Sequence, residues 1–133
     1  MRWHAKKEGL DAEFAADVDA IPGPWCVTDG LRSRARQAEL YAQGRTTPGE
    51  IVTYSKPGQS AHQWGLAADV ARIDAEGTLR WDYTHPDWDT LWTYIDRSPR
   101  MHSGVHFPTP DEPHIQAVKW YKKRADLIAS GGW

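Results

Sequence analysis

The sequence predicts an α+β fold, a small antiparallel sheet flanked by helices. Two observations carry this. Segments with helical spacing alternate in mixed order with short apolar or β-branched runs. Proline and glycine clusters separate them. No internal repeat and no low-complexity linker divides the 133 residues, so residues 1–133 read as one domain, long enough to bury a core without disulfides.

The elements follow in order. Asp11 to Ala20 reads as a helix, with Asp11 as cap and Phe14, Val18 and Ile21 on one face. Pro22-Gly23-Pro24 ends it, and Trp25 to Thr28 is a strand candidate turned by Asp29-Gly30. Ser33 to Gln43 is the clearest helix, capped by Ser33 and stopped by Gly44. Its apolar stripe is Ala35, Ala38, Tyr41 and Ala42, with Leu40 outside it. Ile51 to Tyr54 reads as a short strand. Leu66 to Ile73 reads as a mostly buried strand, with Leu79 to Tyr83 as its hairpin partner. Pro86 starts a helix to about Asp96 that buries Trp88, Leu91, Trp92 and Ile95. Ser98 to Pro113 holds four prolines and reads as a long loop. His114 to Val118 is a last strand, and Trp120 to Ala129 a terminal helix before Gly131-Gly132.

Composition excludes several function classes. The net charge of -2 builds no basic field, so no nucleic-acid partner is expected. The basic run Lys119, Lys122, Lys123 and Arg124 reads as a solvated helix face. No apolar run reaches the roughly 18 residues of a membrane span, and the N-terminus lacks the apolar core of a secretory signal. Cytoplasmic synthesis is therefore expected, and any role outside the cytoplasm needs another route of release. Cys26 is the only cysteine, so no internal disulfide can form, and its apolar surroundings predict a buried structural thiol. The 8 tryptophans predict aromatic core packing for most of them, with a stacking groove as the rival reading.

Two stretches carry chemistry. Ser60-Ala61-His62-Gln63-Trp64-Gly65-Leu66-Ala67-Ala68-Asp69 places an imidazole and a carboxylate seven residues apart at a loop-to-strand junction. Asp69 stands in an apolar run with no basic residue within two positions, and a buried carboxylate needs a charge partner or a metal. Asp111-Glu112-Pro113-His114 supplies a further imidazole with acids beside it. His62, Asp69 and His114 are a donor set that zinc accepts with a fourth position open. Either Asp111 or Glu112 would serve as base. The ligand set alone also admits other metals.

These stretches resemble the S-x-H-x-x-G-x-A-x-D and D/E-x-x-H signatures of the zinc peptidases that include D-Ala-D-Ala carboxypeptidases and phage L-alanyl-D-glutamate endopeptidases. Asp29-Gly30-Leu31-Arg32-Ser33 resembles that family's G-Y/L-R-S turn. Arg36 to Thr46 and Pro48 to Thr53 are also similar to family sequence. The similarity runs in order from about Asp11 to Gln116.

The resemblance implies the Hedgehog/DD-peptidase-like fold and one Zn2+ per chain on His62, Asp69 and His114. It implies Asp111 as general base. It implies Arg32 on the substrate's carbonyl or carboxylate or at the oxyanion, and Ser60 hydrogen-bonding near the site. Asp111, rather than Glu, favours the endopeptidase branch. The expected partner is a peptidoglycan stem peptide, and the expected state is a monomer. An endolysin-like enzyme released to the wall, or one carried on a virion, fits that branch. A D-Ala-D-Ala carboxypeptidase and a non-catalytic wall-binding relative are the alternatives. The sequence departs from the family at Met101 to Phe107, which keeps only Gly104 and introduces His102 and His106, each open as a ligand or acid group.

Overall fold

The computed structural model describes residues 1–131. Six strands, β1 (Arg2–Trp3), β2 (Trp25–Asp29), β3 (Ala67–Ile73), β4 (Leu79–Arg80), β5 (Met101–Ser103) and β6 (His114–Ala117), form one sheet. Its order is β1-β2-β3-β6-β5, with β4 paired to β3. The helices are α1 (Ala12–Asp19), α2 (Arg34–Ala42), α3 (Pro86–Asp96) and α4 (Trp120–Ala129), and two 3-10 turns cover Ala61–Trp64 and Gly104–His106. The α+β expectation holds. The sheet is mixed rather than antiparallel throughout, because the unforeseen β1 pairs parallel with β2.

Local signals set the helix ends. Asp11 accepts a hydrogen bond from the Phe14 amide at 3.1 Å, and Ser33 accepts one from the Arg36 amide at 3.0 Å. Pro86 opens α3, where its missing N–H costs nothing. The core gathers Phe14 and Val18 of α1, Trp25 and Val27 of β2, Val70 of β3, and the Trp88, Leu91 and Ile95 face of α3. Trp88 meets Trp25 and Tyr83 edge-on, with centroids 4.8 and 4.9 Å away. Packing thus accounts for Trp25, Trp64 and Trp88, while the buried Trp120 also lines the cleft described below. Trp81 is exposed, and Trp133 lies outside the described residues. Cys26 is fully buried, as expected.

Four expectations need correction. The predicted stripe of α2 is not buried: Ala35 and Ala38 are exposed, Tyr41 and Ala42 half-buried, and the one buried residue of that helix is Gln37. Polar demand, not apolar burial, orients it. Residues 51–54 pair with no strand. β4 is two residues long, because the chain turns away after Arg80. The 98–113 segment contains β5, which pairs with β6 by Met101↔Ala117 and Ser103↔Ile115.

Arg72 of β3 grips Asp82 with two hydrogen bonds, at 2.6 and 3.1 Å. That pairing holds the Asp82 carboxyl at about 2, below its ordinary 3.8. A depressed carboxyl stabilises the fold above its unfolded pKa, and that contribution fades as pH falls from 3.8 toward 2. Urea midpoints measured across this window are expected to fall less steeply for Asp82→Asn than for the parent. Identical acid limbs would contradict the assignment.

Candidate metal centre

Sheet register brings the site together. Asp69 of β3 pairs with Asp29 of β2 on one side and with His114 of β6 on the other. Alternate residues of a strand share a face, so His114 and Gln116 point the same way as Asp69. A one-residue slip of β6 would send His114 into the core.

His62 arrives from a loop. Ser60 accepts from the His62 amide at 3.3 Å and so caps the Ala61–Trp64 turn. Gly65 ends that turn at φ 70°, a conformation that glycine adopts without a Cβ penalty. The Arg32 amide donates to the His62 carbonyl at 3.0 Å, fastening the 29–33 turn to the same point.

The three donors converge. Asp69 Oδ1 lies 3.3 Å from His62 Nε2 and 3.3 Å from His114 Nδ1. All three ligand atoms lie within 4.8 Å of one another, and theirs is the sole such cluster among the described residues. Zinc–nitrogen bonds of about 2.0–2.1 Å in a tetrahedron place donors roughly 3.3–3.4 Å apart. The two spacings to Asp69 fit that edge. The outer nitrogens are also fixed. His62 Nδ1 donates to the Gly30 carbonyl at 2.8 Å, and His114 Nε2 donates to Gln116 Oε1 at 2.8 Å. Each ring therefore turns an unprotonated nitrogen toward the cluster. Gln116→Leu is expected to weaken metal affinity about 10- to 100-fold with the fold retained, read by competition with a chromogenic chelator.

Electrostatics agree with this geometry. Burial opposes charge on Asp69, but the flanking imidazoles outweigh it and hold the carboxyl well below its ordinary value. Burial likewise opposes charge on His114, yet the Asp69 carboxylate, which accepts a hydrogen bond from Nδ1 once the ring is protonated, raises the pKa overall. Protons therefore compete with metal for His114 as pH falls. Asp111 shifts the other way: burial, reinforced by the Asp69 charge, raises it.

These residues line an open cleft of about 570 Å³. Arg32, Ser60 and Asp111 line it with the three ligand residues, so every singled-out site residue meets there. Asp111 Oδ2 lies 3.9 Å from His114 Nδ1. Glu112 uses its main-chain carbonyl to accept from Trp92 Nε1 at 3.1 Å, and it is not part of the lining. His102 and His106 stay out of the cluster. His106 pairs with Asp96 at 2.8 Å, and His102 packs near Phe107, whose ring stands 5.5 Å from that of His114.

Sequence reading placed Arg32 at the site but missed three supporting residues, Asp29, Gln37 and Gln116. Arg32 ion-pairs with Asp29 and approaches Asp69 Oδ2 to 3.8 Å, so Asp69 does have a basic neighbour, brought by the fold rather than the chain. Buried Gln37 accepts from Arg32 Nη1 at 2.9 Å. Gln116, two positions beyond His114 on a strand, was discoverable from the period of two; Gln37 offered no such signal.

Residues 4–124 match the family model described as VanY: D-alanyl-D-alanine carboxypeptidase. The chain belongs to this VanY family. One curated relative is the peptidoglycan L-alanyl-D-glutamate endopeptidase CwlK of Bacillus subtilis (strain 168), 50% identical over 80 residues. That match covers 57% of this chain and 45% of CwlK, so the chain corresponds to less than half of that relative. The VanY-family fold also appears in the Serratia marcescens L-Ala D-Glu endopeptidase ChiX, at TM-score 0.64 and 22% identity, over 88% of this chain and 86% of ChiX. The LdcB LD-carboxypeptidase resembles it at TM-score 0.54 and 23% identity, over 93% and 73% of the two chains.

Proposed function

We propose that the chain is a zinc-dependent peptidase that cleaves peptidoglycan stem peptides at the L-alanyl-D-glutamate bond. The observation that carries this is Asp69 Oδ1 at 3.3 Å from both His62 Nε2 and His114 Nδ1, inside a cleft that also holds Asp111. The likeness to CwlK supports the choice of bond.

Zinc held by His62, Asp69 and His114 would supply a Lewis acid that makes water nucleophilic near neutral pH and polarises the scissile carbonyl. Asp111 takes the proton of the attacking water and returns it to the leaving amine. Arg32, fixed by Asp29 and Gln37, presents a permanent planar charge to a substrate carboxylate or to the developing oxyanion. Ser60 shapes the cleft beside His62 and holds the turn that presents this ligand.

One chain supplies the ligands and the base, which supports a monomer carrying one zinc. The branch resemblance supports a wall-lysing enzyme of the phage type, acting after release or from a virion. The family description favours one second reading, a D-Ala-D-Ala carboxypeptidase with the same chemistry.

Digestion of purified sacculi followed by mass spectrometry separates them. New D-Glu amino termini are expected, lost with EDTA and restored by zinc. Release of terminal D-Ala alone would establish the carboxypeptidase. Wall binding without any cleavage, unchanged by EDTA, would leave only a binding module.

A further inference from the structure

Residues 51–56 contain no turn or bend, so the chain there is extended, and no strand pairs with it among the described residues. Ile51, Val52, Thr53 and Tyr54 all line the cleft. The far side of this segment is fastened to α2 and the residues after it. Arg45 Nη2 donates to the Thr53 carbonyl at 3.0 Å and Gln37 Nε2 to the Ser55 carbonyl at 2.6 Å. Main-chain groups of successive residues in an extended chain point to opposite sides. With the Thr53 and Ser55 carbonyls turned to α2, the N–H and C=O groups of Val52 and Tyr54 turn away from it. Those four groups have no protein partner among the described residues.

Native sheet edges are usually blunted by lysine, proline, a bulge or a covering element. The 51–54 run, which belongs to no sheet, reads Ile-Val-Thr-Tyr, strongly β-forming, with none of these devices. It continues through Gln59 and Ser60 to the ligand His62 along the same cleft wall. We propose that Val52 and Tyr54 form an open β-edge that binds the substrate's main chain by strand addition, presenting the scissile bond to the metal cluster. The occupant is a short extended peptide with free amides, and the inference rests on the peptidase reading. Main-chain pairing ignores side-chain identity, which suits a substrate built from small and D-configured residues.

Proline at either position deletes one edge donor, whereas alanine keeps it. Val52 and Tyr54 are exposed, so both replacements spare the core. Kinetics on a synthetic stem peptide are expected to show KM raised about ten-fold for Val52→Pro or Tyr54→Pro, with kcat and zinc content held. Val52→Ala keeps the N–H, so its KM is expected to lie at least about three-fold below that of Val52→Pro. Ester replacement of a non-scissile substrate amide is expected to weaken the parent by about ten-fold and the matching proline variant by much less. Alanine and proline variants of equal effect, or a substrate insensitive to every ester, would overturn the edge.

A readout independent of turnover is hydrogen exchange of the zinc-loaded Asp111→Asn protein with the same peptide. Protection of the Val52 and Tyr54 amides by the peptide supports the edge even where the parent cuts no wall, an outcome that would sink the peptidase reading alone. Protection that rises with protein concentration and without peptide would assign the edge to a second copy and overturn the proposal.

Discussion

Asp111→Ala is expected to lower kcat/KM by about three orders of magnitude while the protein keeps its metal. The carboxyl of Asp111 is half-exposed at the cleft, and it makes no hydrogen bond that shapes the fold. The main chain holds the turn instead, through the Asp111 amide to Gly104 at 2.9 Å and the His114 amide to Asp111 at 3.1 Å. Removing the side chain therefore leaves the three candidate metal ligands in place. What is lost is the proposed base, a carboxyl that burial and the Asp69 charge push above its ordinary pKa. Glu112→Ala is expected to stay within about three-fold of the parent, since its side chain lies outside the cleft lining. Steady-state rates with metal analysis on the same preparations check both. Full activity in Asp111→Ala would transfer the base role elsewhere.

The parts of the site legible in the sequence share a physical reason. His62 and Asp69 sit in one short segment, so a single spacing relates them, and Asp111 and His114 sit in another. Pro86 and the apolar face of α3 were equally legible, because burial there is dictated by helical period. Contacts set by register or polar demand were not. Arg32 reaches Asp69 only because the 29–33 turn is pinned to the His62 carbonyl. Gln37 is buried for its hydrogen bonds, against the apolar stripe that helical spacing suggested for α2. The Ile51 to Tyr54 run has strand composition and an extended chain, but Arg45 and, from α2, Gln37 take the Thr53 and Ser55 carbonyls on one side, and the cleft lies on the other. β-propensity describes a fit to a pleated surface and does not supply the neighbour. Met101 to Ser103, inside the stretch read as a loop, forms β5 because a strand needs only alternating burial: Met101 and Ser103 in, His102 on the face of its partner Gln116.

Gly65→Ala is expected to be the most damaging single-methyl change in the chain, at about 3 kcal/mol of stability. Gly65 holds φ 70°, where an added Cβ is strained before any neighbour is counted. That Cβ would also run into the Gly9 carbonyl oxygen and stand 3.2 Å from the Leu10 Cα, both backbone atoms with no rotamer to escape through. The Gly9–Asp11 segment cannot retreat freely, because the Asp11 amide donates to the Gly65 carbonyl at 2.9 Å and Asp11 caps α1. Strain at Gly65 is therefore shared by the first helix and the His62 turn. For a domain of this size the loss corresponds to a fall in Tm of about 10 °C. Metal affinity is expected to drop with it, since the turn that Gly65 closes is the one that aims His62. Gly77→Ala provides the control: its φ is also positive, at 83°, but an added Cβ meets nothing within 4 Å, so only the conformational cost of about 1 kcal/mol applies. Thermal melts of both variants with and without zinc separate the two costs. Equal destabilisation by the two substitutions would show that backbone strain alone governs Gly65 and that the Gly9 contact is relaxed at no cost.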